Sequence, residues 1–422
     1  MKAKQPQLYL SGCPCHLIHR AALKAATEIK FNVDEVLVDT YCYLQNSSKR
    51  LAALERFQDE VKHQKIHKHV ATRWLSVRSC LERILENWNA LQEFFKEESG
   101  RSASTSNAHA RLDRLKTFSR SPTNRLYCLF LVHALEPFDT LNKQLQSEAP
   151  QIHTLMRSLH GFMRKLLVRF VKPVILAEKK REKGEGGKPL ERSKTVLEIN
   201  YKNPSNHKST VLLSGEADRF LTDPSSHLRE EKVKEFHANT KKFYVAGCTY
   251  IKEKFPMQEV LLQNAEICDP ERRLEVTEDQ LMYFLKRFPC LLQSSSIDDV
   301  KTEFVEYQSH ELVPGLIKER VDATWVALGQ VKDGTGTPLF ANLTKIMLGI
   351  LLIPHSNAAC ERIFSCVTKN KTNQRASLSA ETVDSLLVVK SRPGEPHERN
   401  YSSVQLTKLK SSYYNLLSKK PD

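Results

Sequence analysis

The amino-acid sequence predicts a mainly α-helical protein, and three observations support this fold class. Several segments repeat apolar residues at helical spacing, for example Ile152, Leu155, Met156, Leu159, Met163, Leu166, Leu167 and Phe170. Helix-start residues precede such segments, as where Ser379 is the expected N-cap and Glu381 follows in the first turn. One short stretch, "QLYLSG", favours a strand or extended segment that ends at Gly12.

The N-terminal part of the chain contains three predicted helices. The first extends from about Pro14 to Ile29, and the second extends from Val33 to Glu60 with its apolar residues on one face. A basic link, "VKHQKIHKHV", separates them from a third helix whose apolar stripe extends from Val77 to Phe95. Residues 99–123 are rich in Ser, Arg and Thr, which predicts a mobile loop.

The rest of the chain continues the helical pattern around one charged interruption. Helices are predicted in "NRLYCLFLVHALEPF", from Ile152 to about Leu176, and in the long segment "REEKVKEFHANTKKFYVAGCTYIKEKF". Between the last two lies "EKKREKGEGGKPLERSKT", a charged linker and the clearest internal boundary. Further helices are predicted in "TEDQLMYFLKRFPCLL", "DDVKTEFVEYQSH", "LFANLTKIMLGILLI", from Pro354 to Lys369, and after Ser379.

Composition indicates a globular chain of two or three domains. The chain has 422 residues, of which 40% are hydrophobic and 27% charged. No apolar run approaches the roughly 18 residues of a membrane span, and the apolar stretch near Met1 is too brief for a signal peptide. The ten cysteines are scattered along the chain, which is typical of reduced thiols in an intracellular protein. No small-molecule substrate is predicted.

The chain is strongly basic. Its 64 Lys and Arg residues exceed its 49 Asp and Glu residues, which gives a formal net charge of +15. An excess of this size favours a polyanionic partner, and nucleic acid is the commonest one. Simple solubility explains the same charge equally well, and neither interpretation says anything about base sequence.

Four short motifs stand in a fixed order along the chain. They are "GCPCHLIHRAA", "TRWLS", "RFPCLL" and "IPHSNAACERIFSCVTKNKTNQRASLSAETVDSLLVVK". Together they resemble the hAT (hobo/Activator) superfamily of DNA transposases, and above all the domesticated, hAT-derived proteins of animal genomes. The resemblance spans about Leu8 to about Arg392, and the last motif is similar to the family's C-terminal dimerisation region.

The resemblance implies an RNase H-like catalytic domain with a large helical insertion, in which three acidic residues bind divalent metal ions. Glu361 is the counterpart of the family glutamate. The two family aspartates lie upstream of the C-x-x-H motif, and no position of this sequence matches either of them. The expected fold is therefore mainly α: a helical insertion domain and an RNase H-like α/β remnant without most of its sheet, before the C-terminal dimerisation region.

The missing aspartates bear on catalysis. Two-metal phosphoryl transfer requires several carboxylates around ions about 4 Å apart. Asp34 and Asp39 follow the C-x-x-H motif and have the spacing of polar-face residues, so neither replaces a family aspartate. We therefore expect a degenerate transposase without enzymatic activity, in which Glu361 does not function alone and no cofactor binds. The alternative is a fragment of a metal-dependent DNA transposase that would use Mg²⁺ or Mn²⁺ once complete.

The resemblance also implies four nucleic-acid contacts. In the family, the residues matched by Cys13, His16, Arg73 and Trp74 lie near the active site and the transposon end. There an aromatic ring can stack on an unpaired base and an arginine can bind phosphate. The alternative is that these residues begin and cap helices and pack in the core.

The same N-terminal motif raises the question of a zinc site. Cys13, Cys15, His16 and His19 have ligand-type side chains at close spacing. Adjacent Cys15 and His16 cannot easily share one tetrahedral ion, so no metal is expected there. No C-x2-C paired with H-x3–5-H occurs elsewhere in the sequence, so the family's usual N-terminal zinc finger has no counterpart.

The C-terminal helices carry more apolar surface than three short helices would bury alone. A symmetric second copy is a natural cover, so we expect a homodimer. The competing cover is the chain's own helical insertion and remaining strand. The predicted dimerisation residues are Leu348, Leu351, Ile363, Phe364, Val367, Leu386 and Leu387.

The expected domain organisation follows from these boundaries. With the resemblance, we expect a nuclear protein that has no membrane partner and for which DNA is a candidate partner. The predicted segments are the RNase H-like remnant and start of the insertion (1–98), the helical insertion (99–180), the charged linker (181–204), a helical region (205–320), the dimerisation region (321–392) and a loose tail (393–422).

Overall fold

The computed structural model describes residues 9, 12–45, 47–58, 76–98, 106–183, 189–292, 296–311, 315–372 and 375–391. Over these residues the protein is mainly helical, as predicted, and their strands form one two-stranded antiparallel sheet. The chain divides into two compact units, residues 1–358 and residues 359–422, which are described separately. No helix among the described residues is long and apolar enough to cross a membrane.

The first unit contains α1 to α17 and the strand pair. The strands β1 (Lys179–Lys183) and β2 (Pro189–Ser193) pair with Lys179 opposite Ser193. The helices are α1 Pro14–Ala26, α2 Val33–Gln45, α3 Ser48–Glu55, α4 Ser76–Glu86, α5 Trp88–Glu98, α6 Ser106–Arg120, α7 Pro122–Ala134, α8 Glu136–Leu145, α9 Ile152–Phe170, α10 Pro173–Leu176, α11 Gly215–Thr222, α12 Glu230–Lys254, α13 Val260–Asn264, α14 Glu278–Arg287, α15 Ile297–Ser309, α16 Val321–Leu328 and α17 Ala341–Leu351.

Two predicted long helices are each divided in two. The helix predicted from Val33 to Glu60 is interrupted before α3, where Ser47 is an N-cap that accepts a hydrogen bond from the backbone N–H of Arg50. The stripe predicted from Val77 to Phe95 is divided at Asn87, whose side chain donates to the carbonyl of Arg83 at 2.9 Å. Ser and Asn side chains compete for backbone groups in this way, which periodicity does not register.

The prediction of a mobile loop over residues 99–123 is wrong for most of its length. Helix α6 begins at Ser106, and its Leu112, Leu115 and Phe118 are buried. The abundant Ser and Arg of this segment concealed three apolar residues at spacings of three, which place them on one helix face. That face packs against α2 and α5.

A buried carboxylate fixes α6 to α2. Asp39 is 4% exposed, and its two oxygens lie 2.6 Å from Arg114 Nε and 3.3 Å from Arg111 Nε. Asp39 was predicted to lie on the polar face of its helix. Its carboxylate does contact charged groups, but it is buried and does not face solvent. Because both partners belong to the segment predicted as a loop, the sequence pattern alone gave no reason to expect this contact.

The charged linker predicted over residues 181–204 overlaps the hairpin of β1 and β2, which begins at Lys179. Glu198 is the centre of its charge network: its carboxylate accepts from Arg192 at 2.8 Å and from the backbone N–H of Thr195 at 2.9 Å. Lys180 also donates to Glu198, at 3.1 Å. The side chain of Arg192 and then the N–H of Thr195 hold the pKa of Glu198 well below its usual range. Charges of the predicted linker are thus paired with one another.

The core of the first unit is built around α12. This helix packs closely on α1, and a Cβ added at Gly247 would lie 3.4 Å from Ala25 Cβ, so small residues allow the helices to approach. On another face, Phe236 and Phe243 make edge-to-face contacts with Phe130 of α7. Aromatic pairs in this geometry add to the free energy gained by burial of their apolar area.

Helix α17 is covered by its own chain. It packs against α15, α16 and the 3₁₀ turn Pro289–Leu291, which belongs to the "RFPCLL" motif. The Leu291 side chain lies directly over Gly349, where a Cβ would collide with it. Trp325 of α16 is fully buried and donates from Nε1 to the carbonyl of Cys268 at 2.8 Å. Helix α17 is thus covered by its own chain, but by segments that follow the predicted insertion (99–180) and not by the insertion itself.

The second unit contains α18 (Ala358–Asn370) and α19 (Ala380–Ser391). Ser379 is the N-cap of α19, as predicted, and its hydroxyl accepts from the N–H of Thr382 at 3.2 Å. Helix α18 begins four residues later than the predicted start at Pro354. In the preceding segment the hydroxyl of Ser356 donates to the carbonyl of Leu145 at 2.7 Å, so this segment is used for packing on the first unit's own α8.

A buried histidine lies near the same segment. His153, in the first turn of α9, is 8% exposed, and its Nδ1 has no hydrogen-bond partner among the described residues. Burial is the main cause that lowers the pKa of His153, and Asp269 opposes it while Arg157 and His355 reinforce it. The folded protein therefore favours the neutral imidazole.

We expect this histidine to make stability fall in acid. Because its pKa is lower in the folded state, the unfolded chain binds more protons below about pH 6.5, so the free energy of unfolding decreases as pH falls. Replacement of His153 by Gln should make this decrease shallower. The slope of the free energy of unfolding against pH should fall by at most the contribution of one bound proton. Urea unfolding at several pH values measures it.

The exposed His109 provides the matched control, since H109Q removes an imidazole without removing a buried one. If the slope of the free energy of unfolding against pH is the same in H153Q, H109Q and the wild-type chain, this assignment is wrong.

Candidate functional site

Helix α18 presents an apolar face to solvent. Ile363 is 51% exposed and Phe364 is 69% exposed, while Val367 is half-buried. Residues three and four positions apart lie on the same side of a helix, so Phe364 and Ile363 share a face with Val367. All three were predicted as dimerisation residues, and their spacing in the helix allows one partner surface to contact them together.

Helix α19 adds a second apolar surface within the same unit. Leu386 and Leu387, both predicted for the interface, are half-buried. Val388 and Val389 are each 46% exposed and were missed in the predicted set. The signal was present in the run "LLVV", which is apolar on successive positions and therefore leaves apolar side chains on more than one face of the helix.

The remaining predicted dimerisation residues lie in the first unit. Leu351 is 6% exposed and belongs to the core, and Leu348 is half-buried against that core. Leu352, which follows them, is 83% exposed and was also missed. Of Leu348, Leu351 and Leu352, only Leu352 is therefore exposed, while the side chains of the two predicted residues are already used for packing within the chain.

Glu361 lies in the first turn of α18 and is half-buried. A carboxylate in the first turn of a helix interacts favourably with the partial positive charge of the N-terminus. In the first unit, Asp34 occupies the equivalent place in α2, and Asp39 is paired with arginines. The described residues contain no group of three or more His, Cys, Asp or Glu side chains that could hold a metal ion.

The N-terminal motif places Cys13 at the N-cap of α1, with Pro14 as the first helical residue. The Cys13 sulfur accepts a hydrogen bond from the backbone N–H of Asn357 at 3.3 Å. The Cys15 side chain is the largest cause that lowers the pKa of Cys13, to about 4, and the N–H of Asn357 and both the side chain and N–H of His16 act in the same direction. Partial burial opposes them.

The structure thus brings two of the predicted nucleic-acid residues, Cys13 and His16, to one helix start. Cys15 is buried and His16 is exposed. Arg73 and Trp74 lie outside the described residues, so their predicted role stays a prediction. What the geometry around Cys13 provides is one backbone donor, the N–H of Asn357, directed at its sulfur atom.

A lysine-lined groove lies along α12 from Lys234 to Ala246, with a volume of about 680 Å³. Lys234, Lys241 and Lys242 line it from the helix, with His237 between them, and the segment around Pro204–Ser209 lines the opposite side. We call it the α12 groove. Glu28 also lines the α12 groove and contributes a carboxylate to it.

The charges of the α12 groove are only partly neutralised. Lys234 pairs with Glu230 at 2.6 Å, whereas Lys241 and Lys242 form no ion pair within the described part of the chain. Burial, and then the neighbouring Lys241, lowers the pKa of His237, so this imidazole favours its neutral form. The sequence gave no indication of this groove, because the "TKK" of a long amphipathic helix carries no special signal.

Comparison with known families identifies one region. Residues 335–392 match the hAT family C-terminal dimerisation region. This stretch contains α17, α18 and α19 and includes the long fourth motif, so the recognition of the hAT family from that motif is confirmed. A search of curated proteins found no match to the chain.

Proposed function

We propose that this chain, which carries the dimerisation region of the hAT family, is a transposase-derived protein whose main biochemical activity is association with a second copy of itself. The observation that carries the proposal is the exposed apolar face of α18 within the matched region. Phe364 and Ile363 expose more than half of their surface there. Such a face is typical of a protein–protein contact.

The energetic argument rests on these two side chains. Full burial of a Phe or Ile side chain contributes about 1.5–3 kcal/mol, and a two-fold symmetric interface uses each residue twice. Large aromatic residues at the centre of an interface commonly dominate its binding free energy. Phe364 is therefore the proposed anchor, with Ile363 and Val367 beside it and the exposed valines of α19 as further contacts of the second unit.

A second candidate function is binding to nucleic acid through the α12 groove. Lys241 and Lys242 are adjacent and form no ion pair among the described residues, while the charge of Lys242 also acts on Glu235. Both ammonium groups can therefore contact phosphate. The net charge of +15 favours the same partner. Contacts of this kind bind the phosphate backbone and do not select a base sequence. A nuclear location and the RNase H-like ancestry of the chain belong to the same proposal.

We also propose that the chain does not cut DNA. Two-metal strand transfer needs several converging carboxylates, and Glu361 of α18 is the only position in this sequence that the family resemblance assigns to them. Its place in the first turn of α18 supports a role in helix stability instead.

Phe364→Asp should convert the dimer to a monomer at micromolar concentration. The change places a charge in the proposed interface twice per dimer and should weaken association at least tenfold. Sedimentation equilibrium of the wild-type and variant chains measures it. Leu274→Asp is the matched control, because Leu274 is 74% exposed in the first unit and should tolerate the same charge without loss of the dimer. A wild-type chain that sediments as a monomer, or an F364D dimer of wild-type affinity, contradicts the proposal.

Reversal of the charges of the two α12-groove lysines that form no ion pair should weaken binding to duplex DNA. We expect K241E/K242E to bind more weakly for every base sequence, and the slope of log affinity against log salt to fall by about two. Fluorescence anisotropy with a labelled duplex measures both quantities. The control K318E/K332E makes the same charge change at two exposed lysines outside the groove. Equal losses in the two double variants would show that net charge alone binds DNA.

The purified chain should leave supercoiled plasmid intact in Mg²⁺ or Mn²⁺. Gel electrophoresis after incubation measures nicking, and Glu361→Gln provides the comparison. Nicking by the wild-type chain that disappears in E361Q would overturn the proposal of inactivity and support the transposase alternative. A trace of nicking that is equal in both proteins comes from a contaminant.

A further inference from the structure

The lining of the α12 groove is only partly cationic. Its α12 residues are spaced three or four positions apart, so they lie on one side of that helix. They are Lys234, His237, Ala238, Lys241, Lys242, Val245 and Ala246. The alanines and the valine place apolar side chains beside the lysines, and Pro204 adds another from the opposite side. Contact with the outside of a phosphate backbone would leave this apolar surface unused.

The side of the groove opposite α12 is held by hydrogen bonds of the protein itself. The backbone N–H of Lys208 donates to the carbonyl of Phe170, the last residue of α9, at 2.8 Å. The Nε2 atom of His207 lies 2.7 Å from the carbonyl oxygen of Tyr201. These bonds fix residues 204–209 in place, so the groove is already formed when it is empty. A pre-formed site loses little binding free energy to the ordering of its own chain.

His237 lies among the lysines of this lining and is half-buried. Its Nδ1 is buried and has no hydrogen-bond partner among the described residues, so no bond fixes the ring on that side. Burial, and then the charge of Lys241, lowers the pKa of His237 and favours the neutral ring. A neutral, flat imidazole is suited to stacking on a nucleobase, whereas a phosphate is better bound by the lysines beside it.

The size of the groove restricts its ligand. Its volume of about 680 Å³ lies within the range of about 300–1,000 Å³ that is typical of sites for one small molecule. In a duplex, the faces of the bases are covered by stacking on their neighbours. An unpaired nucleotide, by contrast, can offer a base face to His237 and a phosphate to Lys241 or Lys242 at the same time.

We propose that the α12 groove binds an unpaired stretch of nucleic acid, with a base on His237 and the adjoining phosphates on Lys241 and Lys242. This inference rests on the nucleic-acid binding proposed above and adds the form of the partner, a single strand in preference to a duplex. The two lysines outnumber Glu28, the carboxylate of the lining, so the groove favours an anionic strand. The apolar side chains between the lysines contact the sugar and the base.

Fluorescence anisotropy of the full chain measures this preference at one salt concentration. The probes are a labelled oligothymidine strand of about 12 nucleotides and a duplex of the same length. A protein that binds by charge alone binds the duplex more tightly, because the phosphates of a duplex are more densely spaced. We expect the strand to bind more tightly than the duplex by about tenfold, which corresponds to the contribution of one stacked base.

Substitutions of His237 separate the base contact from the phosphate contacts. H237A should weaken binding of the strand by about tenfold and leave binding of the duplex unchanged, whereas H237F keeps a flat ring and should retain binding of the strand. H109A, the matched control, removes an exposed imidazole from α6 and should change neither affinity. K241E/K242E should weaken both forms. Circular dichroism verifies each fold, and H237L replaces H237A if the alanine variant is unfolded.

The outcomes distinguish this inference from the proposed function. Duplex binding as tight as strand binding, or an H237A chain that binds the strand like the wild type, overturns the inference and leaves the lysine contacts standing. Poly-glutamate that displaces the strand at equal charge concentration also overturns it, since the groove would then hold an acidic peptide. Thymidine monophosphate that binds as tightly as the strand does so as well, because it identifies a free nucleotide as the ligand. Absence of binding to both nucleic acids contradicts the proposed function together with the inference.

Discussion

The close packing of α12 on α1 is the contact on which the rest of the first unit depends. Gly247 and Ala25 allow the two helix backbones to approach, and the aromatic residues of α12 then fill the space toward α7. The same helix carries Lys241 and Lys242 on its solvent side, while α1 presents Cys13 at its start. Two candidate sites of different chemistry are therefore positioned by one helix pair.

The sequence predicted the type of most elements well and their limits less well. Long apolar stripes, such as that of α9, identified helices because burial of one face dominates their free energy. The divisions at Ser47 and Asn87 were missed because they depend on single side chains that bond to nearby backbone groups. Helix α6 was missed because its stripe of Leu112, Leu115 and Phe118 is dispersed among many polar residues.

The candidate site was predictable in part, for a physical reason. The exposed face of Ile363 and Phe364 follows from helical spacing within a recognised motif. By contrast, Cys13 and Asn357 are 344 residues apart in the chain, so no local pattern could show that one donates to the other. The Asp39 contacts with Arg111 and Arg114 are similar, since charge pairs across helices depend on tertiary packing. Helical spacing therefore predicted the exposed apolar face, whereas the hydrogen bonds and ion pairs between distant residues became visible only in the tertiary structure.

The hydrogen bonds of residues 355–357 to Leu145 and Cys13 also bear on how the protein folds as it is synthesised. A ribosome adds about 5–20 residues each second, so the start of α1 waits on the order of half a minute before Asn357 is made. During translation the Cys13 sulfur therefore lacks its distant donor, and the first unit can reach its final state only after Asn357 has been made. A nascent chain stalled before this point should present a helix start that a chaperone can still recognise as unfinished.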